Sequence, residues 1–365
     1  MKILLDPQIF IQKYGGISRY HTETWRILKN YPDIDINCPL IYSDNLHLQE
    51  YNLTPQISRN LSVQNEPLRK ILNGFNCLKT LATIANKKFD VFIPTYYYPY
   101  FLNYLGNKPY VLTVYDMINE LYPNYFGNDK KIDKKRILIE KASKIIAISE
   151  NTKLDILKIY PYIDEKKIEI VYLSHSIDTN NISDETPVLP KNYLLFIGNR
   201  NFYKNFTFFI KSISKILKED SSLFLVCGGG GKFTQEEIEL LSLYDIKEKV
   251  IQFNFKDNQL FHLYKNANAF IFPSEYEGFG IPVLEAMACE CPIILTNCSS
   301  LPEVAGKAGI YFENNNSSDL SNKIKDVIYN KSYRDEMIRK GKEQEKMFSW
   351  DKTAAQCLEI YKSVI

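Results

Sequence analysis

The chain of 365 residues lacks several features, and each absence removes a class of protein. No apolar run approaches the roughly 20 residues a membrane-spanning helix needs; the longest, near 193–198 and 223–227, are strand-sized. The apolar start at 1–5 meets Asp6 and Pro7 at once, too soon for a signal-peptide core, so it reads as a first strand and the protein is expected in the cytoplasm. Only four histidines occur, and His21, His47 and His262 show no metal-ligand spacing. The seven cysteines are odd in number, and Cys289, Cys291 and Cys298 lack paired C-x2-C spacing, so buried reduced thiols are expected. A net charge of +2 argues against a nucleic-acid partner, although 45 basic residues leave room for a local patch. Solenoid-period repeats and low-complexity segments are also missing.

What is present is an ordinary globular composition, 45% hydrophobic with 24% charged residues, enough to offset ordering entropy by burial. The length suits two domains. Short Ile-, Val- and Phe-rich runs recur between stretches of helical length, the pattern of parallel strands covered by helices on both faces. In the first half they fall at 2–5, 34–40, 91–93, 111–115, 145–148 and 168–172. In the second half they fall at 193–197, 223–227, 250–253, 269–272, 293–296 and 310–312. Residues 178–191 are polar, carry two prolines and read as an exposed hinge. The expected organisation is a Rossmann-like domain at 1–178, a linker at 179–191, a second such domain at 192–347, and a C-terminal segment at 348–365. The last contains an amphipathic helix from Trp350, capped by Ser349 or Asp351, with room to pack back on the first domain. Doubly wound sheets bind ligands outside the carboxyl ends of their strands, so two facing sheets would enclose a deep cleft.

The densest chemical signal is FPSEYEGFGIPVLEAM at 272–287. A strand ends at Phe272 and a helix opens near Pro282, where a missing N–H costs nothing. Gly278 and Gly280 leave the backbone bare, so amides can approach a ligand, and the helix start favours an anion by about 0.3–1 kcal/mol. Glu277 in the loop and Glu285 one turn into the helix could accept hydrogen bonds from vicinal hydroxyls of a sugar or ribose. Read alone, the pair is better explained by Glu277 as a helix cap and Glu285 as a solvated side chain, and the surrounding residues are what change that reading.

From Leu260 to Phe312 the chain resembles the carboxyl-terminal domain of the retaining GT-B glycosyltransferases of family GT4 (group 1), nearest to bacterial mannosyltransferase-like members. The likeness rests on Pro273–Ser274, Glu277–Gly280, Glu285–Ala288 and Pro302–Glu303 in this order, and extends from the N-terminal glycine loop to FSWDKTA at 348–354. It implies an α/β GT-B fold of two doubly wound Rossmann-like domains facing a deep interdomain cleft. It implies a nucleotide-sugar donor, with GDP-mannose foremost and UDP- or dTDP-sugars as alternatives, and no further cofactor. The implied acceptor is a lipid-linked glycan of a surface polysaccharide such as O-antigen or capsule, reached at the inner face of the membrane. By the same resemblance Glu285 binds the donor ribose, Glu277 the transferred sugar, and the amides of Phe279 and Gly280 the sugar and diphosphate. Arg200 and Lys204, beyond the strand at 193–197, bind the diphosphate.

Two such cations and a helix start can replace a metal ion in stabilising the departing diphosphate. No D-x-D motif has a strand-end context, so metal independence is expected. Cations at a helix start are awkward as mere surface residues, which favours a role for Arg200 and Lys204.

In the first half, Gly15 and Gly16 open a helix and match the family's glycine loop, although a Gly-Gly pair alone is also a plain turn. Ser18 and Arg19 follow as candidate acceptor contacts. The strand at 111–115 ends in Tyr115-Asp116 where relatives carry His-Asp. Tyrosine, with a pKa near 10, cannot carry protons at neutral pH, so either the histidine is not an obligatory base or activity is altered. Asp116 remains a candidate acceptor contact. Tyr97, within Tyr96–Phe101, suits stacking on an acceptor sugar or plain packing. Glu290 stands where relatives place glycine, so the local loop is expected to differ.

Other features read blandly. Gly228–Gly231 with Lys232 lacks the Ser or Thr of a P-loop, Phe233 standing in its place, and is expected near the donor base through Gly228. His175 reads as structural. The basic run Lys130, Lys131, Lys134, Lys135 and Arg136, and Arg69, Lys70, Lys79, Lys87 and Lys88 around a helix bearing Leu72, Phe75, Leu78 and Leu81, read as solvated faces that leave an approach to an acidic membrane open. Rival readings are a sugar-nucleotide epimerase on the same architecture, which would need acid and base groups at the sugar, and a catalytically silent glycan-binding protein.

Overall fold

The computed structural model describes residues 1–59, 66–126, 131–179 and 182–365; Lys130 and the side chain of Lys70 lie outside the described residues. The chain divides into two compact units, Met1–Leu173 with Ser349–Ile365, and Ser174–Phe348.

In the first unit β1 (Lys2–Leu5) pairs in parallel with β2 (Asp35–Asn37) on one side and β3 (Val91–Ile93) on the other. A second parallel set follows in the order β4 (Val111–Val114), β5 (Lys144–Ala147), β6 (Ile168–Ile170). Phe92 and Tyr110 form a parallel bridge between the sets, and the Phe92 N–H donates to Pro109 O at 3.0 Å. The central strands β3, β4 and β5 are almost wholly buried, as continuous apolar runs demand. The run at 34–40 shrinks to a three-residue edge strand because Pro39 ends its pairing capacity early and Asp35 and Asn37 face solvent.

Helix Trp350–Lys362 belongs to this unit and packs on helix Gly16–Leu28. Ser349, not Asp351, caps it, accepting from Lys352 N–H at 3.2 Å. Thr353 donates to Tyr172 O at 2.7 Å, and Cys357 Sγ lies 3.3 Å from the Tyr20 hydroxyl.

The second unit holds β7 (Tyr193–Ile197), β8 (Phe224–Gly228), β9 (Val250–Phe253), β10 (Ala269–Phe272), β11 (Ile293–Thr296) and β12 (Gly309–Phe312). They form one parallel sheet in the order β12-β11-β10-β7-β8-β9. Strand order reverses between β7 and β10, which makes that strand pair the switch point where doubly wound sheets bind ligands. The polar stretch read as a free connector is tied to this unit: Glu185 pairs with Lys256 at 2.7 Å, and His262 lies 2.6 Å from Ser183 O. His175 lies 2.8 Å from Glu345 within the same unit. All seven cysteines are unpaired, and Cys227, Cys289, Cys291 and Cys357 are buried.

Candidate active site

At the switch point of the second unit, β7 runs out at Ile197 into Gly198, whose φ of 113° suits glycine. A short 3-10 turn, Phe202–Lys204, then leads into helix Phe206–Glu219. Beside it β10 ends at Phe272, and the loop through Gly280 opens helix Ile281–Ala288 with Pro282 in its first turn. Gly280 sits at φ 106°, and a Cβ there would come within 3.1 Å of Leu301, so both backbone and space require glycine. The two loops are joined by Glu275 N–H donating to Tyr203 O at 2.7 Å.

This arrangement brings Lys204 Nζ to 2.5 Å from Glu277 Oε1. Both side chains are largely shielded, and the ammonium lies 5.3 Å from the Phe272 ring centre. Ser299 accepts from Glu277 N–H at 3.0 Å, while Ser300 donates to the carbonyls of Glu277 and Phe279 at 2.8 and 2.9 Å. The loop is thus held by backbone-directed hydroxyls that leave its side chains to do other work. Phe279 is buried and meets Phe348 edge-on at 5.9 Å, so only its backbone is suited to a ligand. Gly278 lies beside it with no side chain to obstruct an approach. One turn into the helix Glu285 Oε2 accepts from the buried Tyr264 hydroxyl at 2.9 Å, which fixes the carboxylate.

Arg200, in the loop beyond β7, is turned toward the residues that follow β8. Its guanidinium faces the glycine loop: Nε donates to Glu237 at 2.8 Å, Nη1 to Gly229 O at 3.1 Å, and Nη2 to the carbonyls of Gly230, Gly231 and Lys232 at 3.3, 3.0 and 3.0 Å. The Phe233 ring covers it at 4.8 Å. Gly229, Gly230 and Gly231 take φ of 73°, 69° and 75°, a left-handed run whose carbonyls converge on the arginine. A Cβ on Gly230 would collide with Gly198 O and with the guanidinium itself. Arg200 is 7% exposed, and these contacts clamp the loop. Gly228 is a close-packing position against Phe255 and Ile197.

In the first unit Gly15, at φ 147°, precedes helix Gly16–Leu28, and Gly16 is its first residue. Ser18 is buried and donates to Gly15 O at 2.9 Å, while Arg19 pairs with Glu50 at 2.7 Å. Tyr115 is likewise turned inward. Its hydroxyl lies 2.6 Å from His21 Nε2 and 3.3 Å from Thr95 O, in an aromatic group with Tyr20 and Tyr97. Burial lowers the His21 pKa to about 3 and raises that of Tyr115, so both are neutral.

Asp116 and Tyr97 behave differently. With Ile17, Tyr96, Asn119, Lys131, Ile132 and Lys135 they line a cavity of about 50 Å³. Asp116 Oδ1 accepts from Ile118 N–H at 3.1 Å, and the Tyr97 hydroxyl accepts from Tyr115 N–H at 2.9 Å. Lys135, read as part of a solvated basic run, is buried: its ammonium pairs with Glu120 at 2.8 Å, donates to Asp116 O at 3.0 Å and lies 5.2 Å from the Tyr97 ring centre. No sequence pattern marked it, because helix Lys131–Lys141 carries charge on every face.

Glu290 does adopt a left-handed conformation, φ 58°, at the place where relatives have glycine. Ion pairs with Lys265 at 2.5 Å and Lys342 at 2.7 Å offset the strain and hold its pKa down to about 2. Among the described residues no group of three or more His, Cys, Asp or Glu side chains is assembled to hold a metal ion.

Paired parallel α/β units with these glycine loops define the GT-B fold, and comparison with known proteins agrees. Anabaena HepE, solved with UDP and glucose, superposes with a TM-score of 0.72 at 15% identity over 99% of each chain. Residues 178–344 match the family described as Glycosyl transferases group 1, and the chain carries a glycosyltransferase region of that group. It is 28% identical to O-antigen chain mannosyltransferase B of Escherichia coli over 74% of this chain and 73% of that one. To O-antigen chain mannosyltransferase RfbU of Salmonella typhimurium it is 26% identical, over 86% and 87%.

Proposed function

We propose that this protein is a retaining, metal-independent hexosyltransferase of surface polysaccharide synthesis, moving mannose from GDP-mannose to a lipid-linked or oligosaccharide acceptor at the cytoplasmic face of the membrane. The Lys204–Glu277 pair at the switch point carries the reading. Each ion of the pair satisfies the other. A donor would draw the ammonium to its diphosphate and free the carboxylate for the sugar hydroxyls, so the pair stores both contacts in place. Glu285, fixed by Tyr264, takes the ribose hydroxyls, and the amides of Phe279 and Gly280 complete the anion's surroundings.

In the reaction the bond from the anomeric carbon to the diphosphate oxygen breaks and the acceptor oxygen bonds to the same face of that carbon. The acceptor proton passes to the leaving diphosphate. Negative charge grows on the diphosphate in the transition state, where Lys204 and the helix start stabilise it more than in the ground state. A front-face course needs no side-chain base at the acceptor, which accords with Tyr115 being buried against His21. Arg200 acts indirectly by fixing the glycine loop. Asp116 and Tyr97 are assigned to the acceptor.

Mannose is supported by the names of the two relatives, and the HepE complex keeps UDP-sugars in contention. A melting-temperature panel with GDP, UDP and dTDP tests the donor, since a ligand that binds only the folded state raises the midpoint by mass action. GDP giving the largest shift, together with mannose transfer lost in Glu277→Ala, supports the reading. No shift with any nucleotide and full transfer in the variant overturn it.

A further inference from the structure

Segment 116–120 of the first unit carries two of the polar groups that line the cavity of about 50 Å³, Asp116 and Asn119. One ammonium holds both ends of this segment: Lys135 Nζ donates to Asp116 O at 3.0 Å and to Glu120 Oε2 at 2.8 Å. Within the segment Asp116 Oδ1 accepts from Ile118 N–H at 3.1 Å, so the direction of that carboxylate follows the backbone that Lys135 fixes. The ammonium also lies 5.2 Å from the ring centre of Tyr97, another residue of the cavity wall.

Such a pair is a poor source of stability. The side chains of Lys135 and Glu120 are 3% and 4% exposed, and taking two ions out of water offsets most of what their attraction returns. Burial pushes the Glu120 pKa up even with the ammonium beside it, and its Oε1 is without a hydrogen-bond partner. Two apolar side chains of similar length would fill the place with no loss of stability. They could not hold a backbone carbonyl and a carboxylate at once from the neighbouring helix Lys131–Lys141. The pair is therefore explained by what it orients. The cavity has room for one or two groups of water size, at roughly 30 Å³ each, so it admits a hydroxyl edge of a ligand and not a whole sugar ring. In so small a space a shift of about 1 Å in the wall decides the fit.

We propose that Lys135 is a positioning residue for sugar transfer: paired with Glu120, it sets Asp116 and Asn119 against a hydroxyl group of the acceptor. Lys135 borders the cavity, but it acts through Asp116 because its ammonium is engaged by Asp116 O and Glu120. The inference rests on the assignment of Asp116 to the acceptor.

The test compares the wild type with Lys135→Met/Glu120→Met, in which neither ion is left buried alone. Its melting temperature should be unchanged, whereas Lys135→Met alone should lower it. In transfer from GDP-mannose to octyl α-mannoside, the acceptor KM of the double variant should rise by about tenfold or more, with donor KM and kcat changed less than about twofold. Amide hydrogen exchange at 116–120 should quicken by about tenfold while the strands of the unit keep their protection. On an Asp116→Ala background the same double substitution should change acceptor KM by less than about threefold. A wild-type acceptor KM in the double variant overturns the proposal, and so does a rise in KM without faster exchange at 116–120. An equal effect on the Asp116→Ala background overturns it too, since Lys135 would then meet the acceptor directly. A melting temperature as low in the double variant as in Lys135→Met makes the pair structural, with the same consequence. A wild type that transfers nothing between these two substrates refutes the substrate reading instead; the exchange measurement still decides, unchanged exchange overturning the role of Lys135.

Discussion

Lys204 and Glu277, far apart in sequence, meet at 2.5 Å where the ends of β7 and β10 adjoin. A cation and an anion at the sheet's switch point form a closed pair, which under the proposed function a diphosphate sugar opens, each partner taking its own portion of the donor. Glu277→Gln and Lys204→Met should each lower kcat/KM for transfer by on the order of 10²–10³. The double variant should lose far less than the product of the two, since both act on one bound donor. Full additivity in steady-state kinetics would mean the pair does not work as a unit.

Arg200 tests differently from Lys204. If it clamps the glycine loop, Arg200→Ala leaves Glu237 and several carbonyls without their donor and should cost about 3 kcal/mol of folding stability. Denaturant unfolding measures this directly. A variant of unchanged stability that has lost nucleotide binding would return Arg200 to the diphosphate.

Tyr115→Phe removes the partner of His21. Stability should fall by about 1–3 kcal/mol through the unsatisfied buried imidazole, while kcat changes little. A large loss of kcat at unchanged stability would show that the hydroxyl takes part in transfer.

Glu290, with its pKa depressed from 4.5 to about 2 by Lys265 and Lys342, contributes stability above the unfolded-state value that is lost as pH falls through the folded one. Thermal melts of wild type and Glu290→Gln should differ at neutral pH and converge as pH drops from 4.5 towards 2. A gap that stays constant with pH would show that the ion pairs contribute nothing.

Asp6 has the opposite sign. Burial raises its pKa from 3.8 to about 7; Tyr100 donates to Oδ1 at 2.6 Å, and Oδ2 is without a hydrogen-bond partner. The folded state keeps a proton that the unfolded state loses above 3.8, so stability declines as pH rises from 3.8 to about 7. Asp6→Asn should abolish that part of the slope in pH-dependent unfolding, and an unchanged slope would place the titration elsewhere.

The strand runs, the helix start at Pro282 and the loop bearing Glu277 and Glu285 were legible in the sequence because each depends on neighbours within a few residues. Periodicity reports burial, proline and glycine report dihedral limits, and the motif order reports a shared site. The edge strand Asp35–Asn37 was overextended in that reading, since an apolar run alone does not say where pairing stops.

Side-chain direction was not legible. The Arg200 contact with Glu237 spans 37 residues and the His21 contact with Tyr115 spans 94, and nothing local foretells either. Sequence by itself determined that this is a parallel α/β protein with a glycine-bearing loop between a strand end and the helix start at Pro282, because backbone preference and hydrophobic pattern are local properties. Only the tertiary structure decided that Arg200 holds a loop and that Lys135 is buried beneath Asp116. Packing brings distant groups together, and a charged or apolar side chain takes its meaning from what then lies beside it.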